Sequence, residues 1–173
     1  MATFYCSDHH FGHSKMLTFK NYDGTPARVF NSVDEMNDEM IYNHNSVVKK
    51  SDEVYFLGDV AIELESLSLL SRMNGRKKLV RGNHDIFHIN HYLKYFDDIL
   101  GSVTFVDQFI LSHIPLHPNC ISARYLTNVH GHLHNNIIKD KNYFNVSMEK
   151  INYTPIEHSE LIKKINHQKR NFK

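Results

Sequence analysis

Cysteine is scarce in this chain of 173 residues, and the two present, Cys6 and Cys120, stand far apart and outside any Cys-x-x-Cys spacing. That excludes a disulfide framework and a zinc ribbon, and reduced thiols in a cytosolic protein are the default. Cys6 lies in the apolar run Phe4-Tyr5-Cys6 and reads as a small core residue. An excess of charge of either sign is also missing: 20 Lys and Arg stand against 19 Asp and Glu, a formal net charge of +1. A protein that coats nucleic acid needs a basic face to neutralise phosphates, so no stable nucleic-acid partner is expected. The local clusters Arg76-Lys77-Lys78, Lys163-Lys164 and Lys169-Arg170 read as solvated faces. Long hydrophobic runs are absent too. Nothing approaches the roughly 18 apolar residues of a membrane span, and the start of the chain shows no basic segment leading into an apolar one. A cytoplasmic location with no membrane partner is the expectation. With no internal repeat or linker and 41% hydrophobic residues, residues 1–173 read as a single domain with a sizeable core.

Ala2 to Ser7 reads as a first strand, and the polar stretch from Lys20 to Asn31, with Asp23-Gly24-Thr25-Pro26 inside it, as a loop. Ser32-Val33-Asp34-Glu35 has the form of a capping box. Val33, Met36, Met40, His44 and Val47 follow at helical spacing, predicting a helix over about 33–48. Glu53 to Leu57 reads as a buried strand. Leu64, Leu67, Leu70 and Met73 form the stripe of a second helix ended by Asn74-Gly75, and Lys78 to Arg81 is the next strand. This alternation implies a βαβ-type half with parallel strands. Beyond about residue 98 the pattern changes to strand pairs: Gly101 to Val106, the turn Asp107-Gln108, Phe109 to Ser112, then strands near Asn128 to His130 and Tyr143 to Met148. A last helix follows Pro155, with Ile156, Leu161 and Ile165 facing inward. Two sheets packed face to face with helices outside is the simplest architecture for this order.

What the chain has in quantity is histidine, fourteen in all. His88, His91, His158 and His167 read as ordinary surface residues. Six others fall in ordered blocks: Asp8-His9-His10, Gly58-Asp59, Gly82-Asn83-His84-Asp85, His113 and His132-Leu133-His134. Each block falls where an apolar run gives way to glycine or a polar turn, the sheet edge at which ligands collect in open α/β folds. Imidazole, carboxylate and amide make a mixed nitrogen and oxygen set. Such a set suits two divalent ions of manganese above all, with iron, nickel or zinc as alternatives, and suits calcium or a thiolate-selected metal poorly. His9, between two candidate ligands on a strand end, should point to the opposite face.

In order and spacing these blocks resemble the signature of the calcineurin-like metallophosphoesterases: Asp-x-His, Gly-Asp, Gly-Asn-His-Asp/Glu, His and Gly-His-x-His. Here they stand as Asp8-His9-His10, Gly58-Asp59, Gly82-Asn83-His84-Asp85, His113 and Gly131-His132-Leu133-His134. Ser7 to His13, Arg28-Val29-Phe30 and Val33 to Asn37 are similar to a compact bacterial and phage subgroup. The resemblance implies a four-layer αββα fold, a two-sheet β-sandwich flanked by helices. It also implies one metal on Asp8, His10, Asp59 and His134 and a second on Asp59, Asn83, His113 and His132, with Asp59 bridging. A metal-bridging hydroxide would attack phosphorus in line. His84 would be the general acid and Asp85 would orient its imidazole, with a helix N-cap before Ile86-Phe87 as the plainer role for Asp85.

Around the signature, His13 is a candidate to face the substrate and Arg28 to clamp a phosphate oxygen, with a loop hydrogen bond as the equal alternative for each. His117 follows the His113-Ile114-Pro115 turn toward the same edge, and a loop hydrogen bond is the simpler reading for it. Asn145 ends a strand near the site without an assigned role. The leading function is hydrolysis of a small phosphoester or nucleotide, a phosphodiester such as a 2′,3′-cyclic nucleotide first. A phosphomonoesterase would use the same metals with extra cationic side chains, and Arg28 and Arg81 leave that open. A metal-bound scaffold without catalysis ranks lower, since every ligand and His84 are intact.

Overall fold

The computed structural model describes residues 1–105, 108–121 and 127–172, so the predicted strand end at Val106 and Asp107 of the predicted turn lie outside the described residues. The described elements are β1 (Thr3–Cys6), α1 (Val33–Val47), β2 (Glu53–Phe56), β3 (Arg76–Val80), α2 (Ile89–Tyr92), β4 (Asp98–Leu100), β5 (Val103–Phe105), β6 (Phe109–Leu111), β7 (Asn128–His130), β8 (Tyr143–Asn145), β9 (Ile156–Glu157) and α3 (His158–Asn171). They build two parallel-rich sheets flanked by helices, a mixed α/β sandwich. One sheet runs β4-β3-β2-β1-β9 and the other β5-β6-β7-β8.

The first sheet is parallel except for β9, which pairs antiparallel with β1. Its strands alternate between two apolar layers, because successive side chains leave a strand on opposite faces. Phe4, Cys6, Val54, Phe56 and Leu79 join Met36, Met40, Leu67 and Leu70 beneath the helices. Tyr5, Tyr55, Leu57 and Val80 meet Phe109, Leu111 and Val129 between the sheets, and α3 adds Leu161 and Ile165. Burial on both faces explains why these strands read as apolar runs.

Helix α1 begins at Ser32, whose hydroxyl accepts from the Glu35 amide at 3.1 Å. The Glu35 carboxylate reaches back one residue beyond the usual box and accepts from the Asn31 amide at 2.6 Å. Several expectations need correction. Val47 is largely exposed and Val48 is buried in its place. The second helix is a 3₁₀ helix, Glu65–Arg72, and it follows from the sequence once seen: Leu67, Leu70 and Met73 are buried and spaced by threes, the period at which 3₁₀ side chains eclipse. Ile156 belongs to a strand opposite Tyr5, and the last helix starts only at His158. Three-residue β4 is too short for its alternation to be read.

In the second half, only β5 and β6 form an antiparallel pair, while β6, β7 and β8 are parallel. This matters for the site. Parallel strands end at one sheet edge, so β1, β2 and β3 release their following loops side by side, and β6 and β7 do the same opposite them.

His44 of α1 is buried, stacked on Phe56 at 5.9 Å, and bonded through Nε2 to the Asn74 carbonyl. Burial holds its pKa down to about 4, against the pull of that carbonyl. The unfolded chain therefore takes up a proton here more readily than the folded one, and stability is lost as pH falls from about 6.5 toward about 4. His44→Gln keeps a donor for Asn74 and removes the titration. Urea midpoints at pH 7 and pH 5 should differ less in this variant than in the parent protein.

Candidate metal centre

Each loop that leaves a parallel strand turns at once, and the turning residues are the candidate ligands. Asp8, His10, Asp59, His132 and His134 all have φ between 48° and 68°, a left-handed backbone that costs a residue with a Cβ free energy. Only Asn152 and Tyr153 share it among the other described non-glycine residues. The loops hold one another in this state. The Asp8 amide donates to the Gly58 carbonyl at 3.0 Å, His10 to Asp59 at 3.0 Å and Phe11 to Val60 at 2.9 Å. Gly58, at φ +88°, lies so close to Gly82 that a Cβ would come within 2.6 Å of its backbone. Only glycine lets these two loops touch.

Two groups of side chains result, each able to hold a metal ion: Asp8, His10 and His134, and Asp59, His113 and His132. Asp59 stands between them. Its Oδ2 is 3.8 Å from His10 Nε2 and 3.3 Å from His113 Nε2, while Oδ1 accepts from the His84 amide at 2.8 Å. Asp8 is divided in the same way. Its Oδ2 accepts from the Ser147 hydroxyl and the His132 amide, both at 2.9 Å. Its Oδ1 is buried without a hydrogen-bond partner among the described residues, 3.8 Å from His10 Nε2 and 4.0 Å from His134 Nε2.

The donor set fits a divalent cation. His113 Nδ1 donates to the Leu57 carbonyl at 2.7 Å, so a neutral ring would present its Nε2 lone pair. Nε2 lies 2.9 Å from Asn83 Oδ1 and 3.3 Å from Asp59 Oδ2. Acceptors that converge on one another repel unless a proton or a cation lies among them. His134 Nδ1 donates to Glu149 at 3.0 Å, which likewise leaves Nε2 free toward Asp8. A carboxylate or carbonyl behind a ligating imidazole is the usual support of a metal site.

Electrostatics follow from burial. It pushes the Asp8 carboxyl up, opposed by His134 and His113, and holds His10 well down with help from His134. For Asp59 burial pulls upward, but the His113 hydrogen bond and charge win and the pKa is lowered. For His113 and His134 burial pulls downward and is outweighed, by Asp59 in one case and Glu149 in the other, so both are raised.

The active roles considered for Asp85 and Arg28 change, and His117 takes its simpler reading. Asp85 does not reach the His84 ring in any described contact, and it is no helix cap, because α2 starts at Ile89 behind His88. Its buried carboxylate accepts from the backbone amides of Asp59, Val60 and Gly82 at 2.9, 3.1 and 2.8 Å, fastening the β2 and β3 loops together. Arg28 is 2% exposed and cannot clamp a substrate phosphate. Its Nε donates to Glu149 Oε1 at 2.7 Å and its Nη atoms to the Asp8 and His9 carbonyls. His117 is exposed and accepts from the Asn119 amide at 3.2 Å as the cap of a short 3₁₀ turn.

His13 and His84 do line one cavity with His10 and His134, of about 400 Å³. The His84 ring lies 5.6 Å from that of His10 and the His13 ring 5.8 Å from it. His9 turns away to pack on Phe11 and Phe56. Asn145 donates to the His134 and Asn136 carbonyls at 2.9 and 3.1 Å, holding the last ligand loop.

Glu149 escapes the sequence altogether. Burial alone would raise it, yet the Arg28 guanidinium and then His134 hold its pKa down at about 2. Its partners are 121 and 15 residues away, and no local pattern marks it.

The chain is 32% identical over 179 aligned residues, 92% of this chain and 88% of the relative, to the uncharacterized protein MJ1445 of Methanocaldococcus jannaschii. It belongs to the family of that archaeal protein. The Gene 66 protein of Mycobacterium phage L5 is 32% identical over 88 residues, 48% of this chain and 39% of the phage protein. The crystal structure of the protein of unknown function AQ665 from Aquifex aeolicus overlays with a TM-score of 0.73 at 26% identity, covering 94% of this chain and 98% of that one. An archaeal phosphodiesterase overlays at a TM-score of 0.49 with 17% identity, covering 85% of this chain and 82% of that one, too distant a likeness to bear on function. No family model matches the chain.

Glu149→Gln preserves shape while removing the charge behind His134. Manganese affinity, read by calorimetry, should fall about 10–100-fold, the usual cost of losing such a supporting partner. An unchanged affinity would mean that Glu149 serves Arg28 alone.

Proposed function

We propose that this chain is a divalent-metal-dependent phosphoesterase that hydrolyses small phosphodiesters, 2′,3′-cyclic nucleotides among them. One observation carries the reading: two metal-competent groups adjoin, because Asp59 of the second also lies 3.8 Å from His10 Nε2 of the first, with His84 exposed beside them. Asp8, His10, Asp59 and His134 would hold one ion and Asp59, Asn83, His113 and His132 the other, manganese first among the candidates. Such cations supply Lewis-acid activation of a phosphoryl oxygen and of water.

The chain's own part is binding, orientation and proton delivery. His84 is anchored through its backbone amide to Asp59, so its imidazole is carried at a fixed place next to the ligands and can protonate the leaving oxygen. Asp85 acts at one remove, by fixing the loop that carries both Asn83 and His84. His13 borders the same cavity and is placed to contact substrate.

The diester preference is supported by the state of the arginines. Arg28 is spent on Glu149 and two carbonyls, and Arg81 donates to the Asp85 and Phe87 carbonyls at 2.6 and 3.2 Å. Neither lines the cavity, so neither brings to it the second positive charge that a monoester dianion calls for. Lys20, which borders the cavity, favours a monoester as the second reading. Comparing kcat/KM for an aryl diester and its monoester under one metal condition decides between them, and a monoester preference overturns the diester assignment.

Manganese loading should give about two ions per chain by elemental analysis. Asp59→Asn should be the most damaging ligand change, because it weakens both groups. One ion per chain with full activity defeats the dinuclear reading.

His84→Asn should leave metal content intact and lower kcat by roughly 10²–10⁴ for an alkoxide leaving group such as the ribose oxygen of a cyclic nucleotide. A nitrophenolate, which departs without a proton, should show a much smaller loss. Equal losses would make His84 a phosphate-orienting residue.

A further inference from the structure

The cavity beside the candidate ligands has a second wall that the proposed chemistry does not use. His10, His84 and His134 line one side, and Met16, Phe19 and Tyr22 line another. Phe19 is 45% exposed and Tyr22 97% exposed, although both sit on a loop that is tightly built. The Ala27 amide donates to the Phe19 carbonyl and the Asn21 amide to the Thr25 carbonyl, each at 2.8 Å. Asn135, next to the candidate ligand His134, donates to Asn21 Oδ1 at 3.0 Å and to the Ala27 carbonyl at 3.2 Å. Arg28 then buries the end of the loop under Asp8 and His9. A loop so fastened holds its aromatic rings open to water against the hydrophobic preference, and does so next to the reactive histidines.

We propose that this wall is a nucleobase subsite, so that the phosphoester handled at the neighbouring groups carries a nucleoside; the inference rests on the phosphoesterase reading above. The rings mark the path. His10 and His13 are 5.8 Å apart and His13 and Phe19 5.7 Å apart, edge to face, so Phe19 stands two ring contacts from a candidate metal ligand. That span suits a pentose between a phosphate at the ligands and a base on the aromatic wall. Flat rings favour a planar ligand over an acyl chain, since every base has a face that stacks and stacking tolerates any base. Asn136, also lining the cavity, offers an amide to a base edge, and Lys20 a cation to phosphate. A cavity of about 400 Å³ suits a single nucleotide, and the net charge of +1 gives no basic track for a long strand.

Two diesters with the same leaving group test this: thymidine 5′-(4-nitrophenyl phosphate) and methyl 4-nitrophenyl phosphate, turned over by the manganese-loaded protein. The wild type should prefer the nucleoside ester in kcat/KM. In Phe19→Ala, and further in Phe19→Ala with Tyr22→Ala, the ratio of the two should fall about tenfold or more, the worth of one base stack. Phe19→Leu, which keeps apolar bulk without a flat ring, should behave like the alanine variant. In parallel, calorimetric titration of thymidine 5′-monophosphate into the metal-loaded protein should show a matching loss of affinity. A wild type that turns over both esters equally, or a Phe19→Ala ratio equal to the parent's, overturns the subsite and leaves the phosphoesterase reading standing. If neither ester is turned over by protein that has bound its metal, the enzyme reading fails, and the subsite is decided by the titration: equal affinity in wild type and Phe19→Ala overturns it.

Discussion

Two buried carboxylates, each bonded to the chain through one oxygen and open through the other, govern the arrangement around them. A carboxylate removed from water must be hydrogen-bonded, protonated or paired with a cation. Asp8 and Asp59 have their inner oxygens fixed by Ser147, the His132 amide and the His84 amide. Their outer oxygens face imidazole nitrogens whose own donors are turned away to Leu57 and Glu149. Satisfying the inner oxygens prevents rotation, so the outer ones stay directed at the same small volume. Among the described residues Asp8 Oδ1 has no hydrogen-bond partner and Asp59 Oδ2 has the His113 ring at 3.3 Å, and a divalent cation would satisfy these acceptors together.

Holding carboxylates this way requires loops that would not otherwise persist. Five candidate ligands occupy the left-handed region, a conformation that costs on the order of 1–3 kcal/mol per residue when nothing supports it. The support comes from buried charge. Asp85 takes three amides from two loops, and the Arg28 to Glu149 pair joins the β1 loop to the segment after β8. Two residues that resemble catalytic groups in the sequence are thus fasteners in the structure. A catalytic carboxylate and a backbone-clamping one have the same letter, and only the positions of the amides around them distinguish the two.

The same distinction sets how much was legible in the sequence. Strands β1 and β2 could be read because burial on both faces forces contiguous apolar residues, whereas β3 showed only its end, since Arg76-Lys77-Lys78 opens it and only Leu79 and Val80 are buried; the candidate ligands could be read because they follow such runs. Helix α1 was legible through Ser32 and its apolar period, a signal carried within a few residues. What failed was non-local or short. Glu149 and Arg28 find each other across 121 residues, β9 consists of two residues defined only by pairing with Phe4 and Tyr5, and β4 has three. The helix over Glu65–Arg72 could be read but not its 3₁₀ type, because an apolar spacing of three suits both helical periods over so short a stretch.

The spent arginines connect the fold to the chemistry. Were Arg28 and Arg81 free, the site would carry fixed positive charge toward any phosphate, whether or not cations were bound. Both arginines stay out of the cavity lining, engaged with Glu149 and with backbone carbonyls, and the candidate ligand groups are imidazole and carboxylate. Without cations such groups repel a phosphate; with them they attract one. Affinity for a phosphate would then depend chiefly on occupancy of the carboxylates, with Lys20 as the cation of the chain that borders the cavity, and selectivity among phosphoesters would come largely from what the ester carries besides its phosphate. In the proposed subsite that part of the ligand would meet the loop of residues 19–27, the segment that Asn135 ties to the same turn as His134. Ligand geometry and substrate choice are mechanically joined there: a change that loosens the loop reaches His134, and one that displaces His134 reaches the aromatic wall.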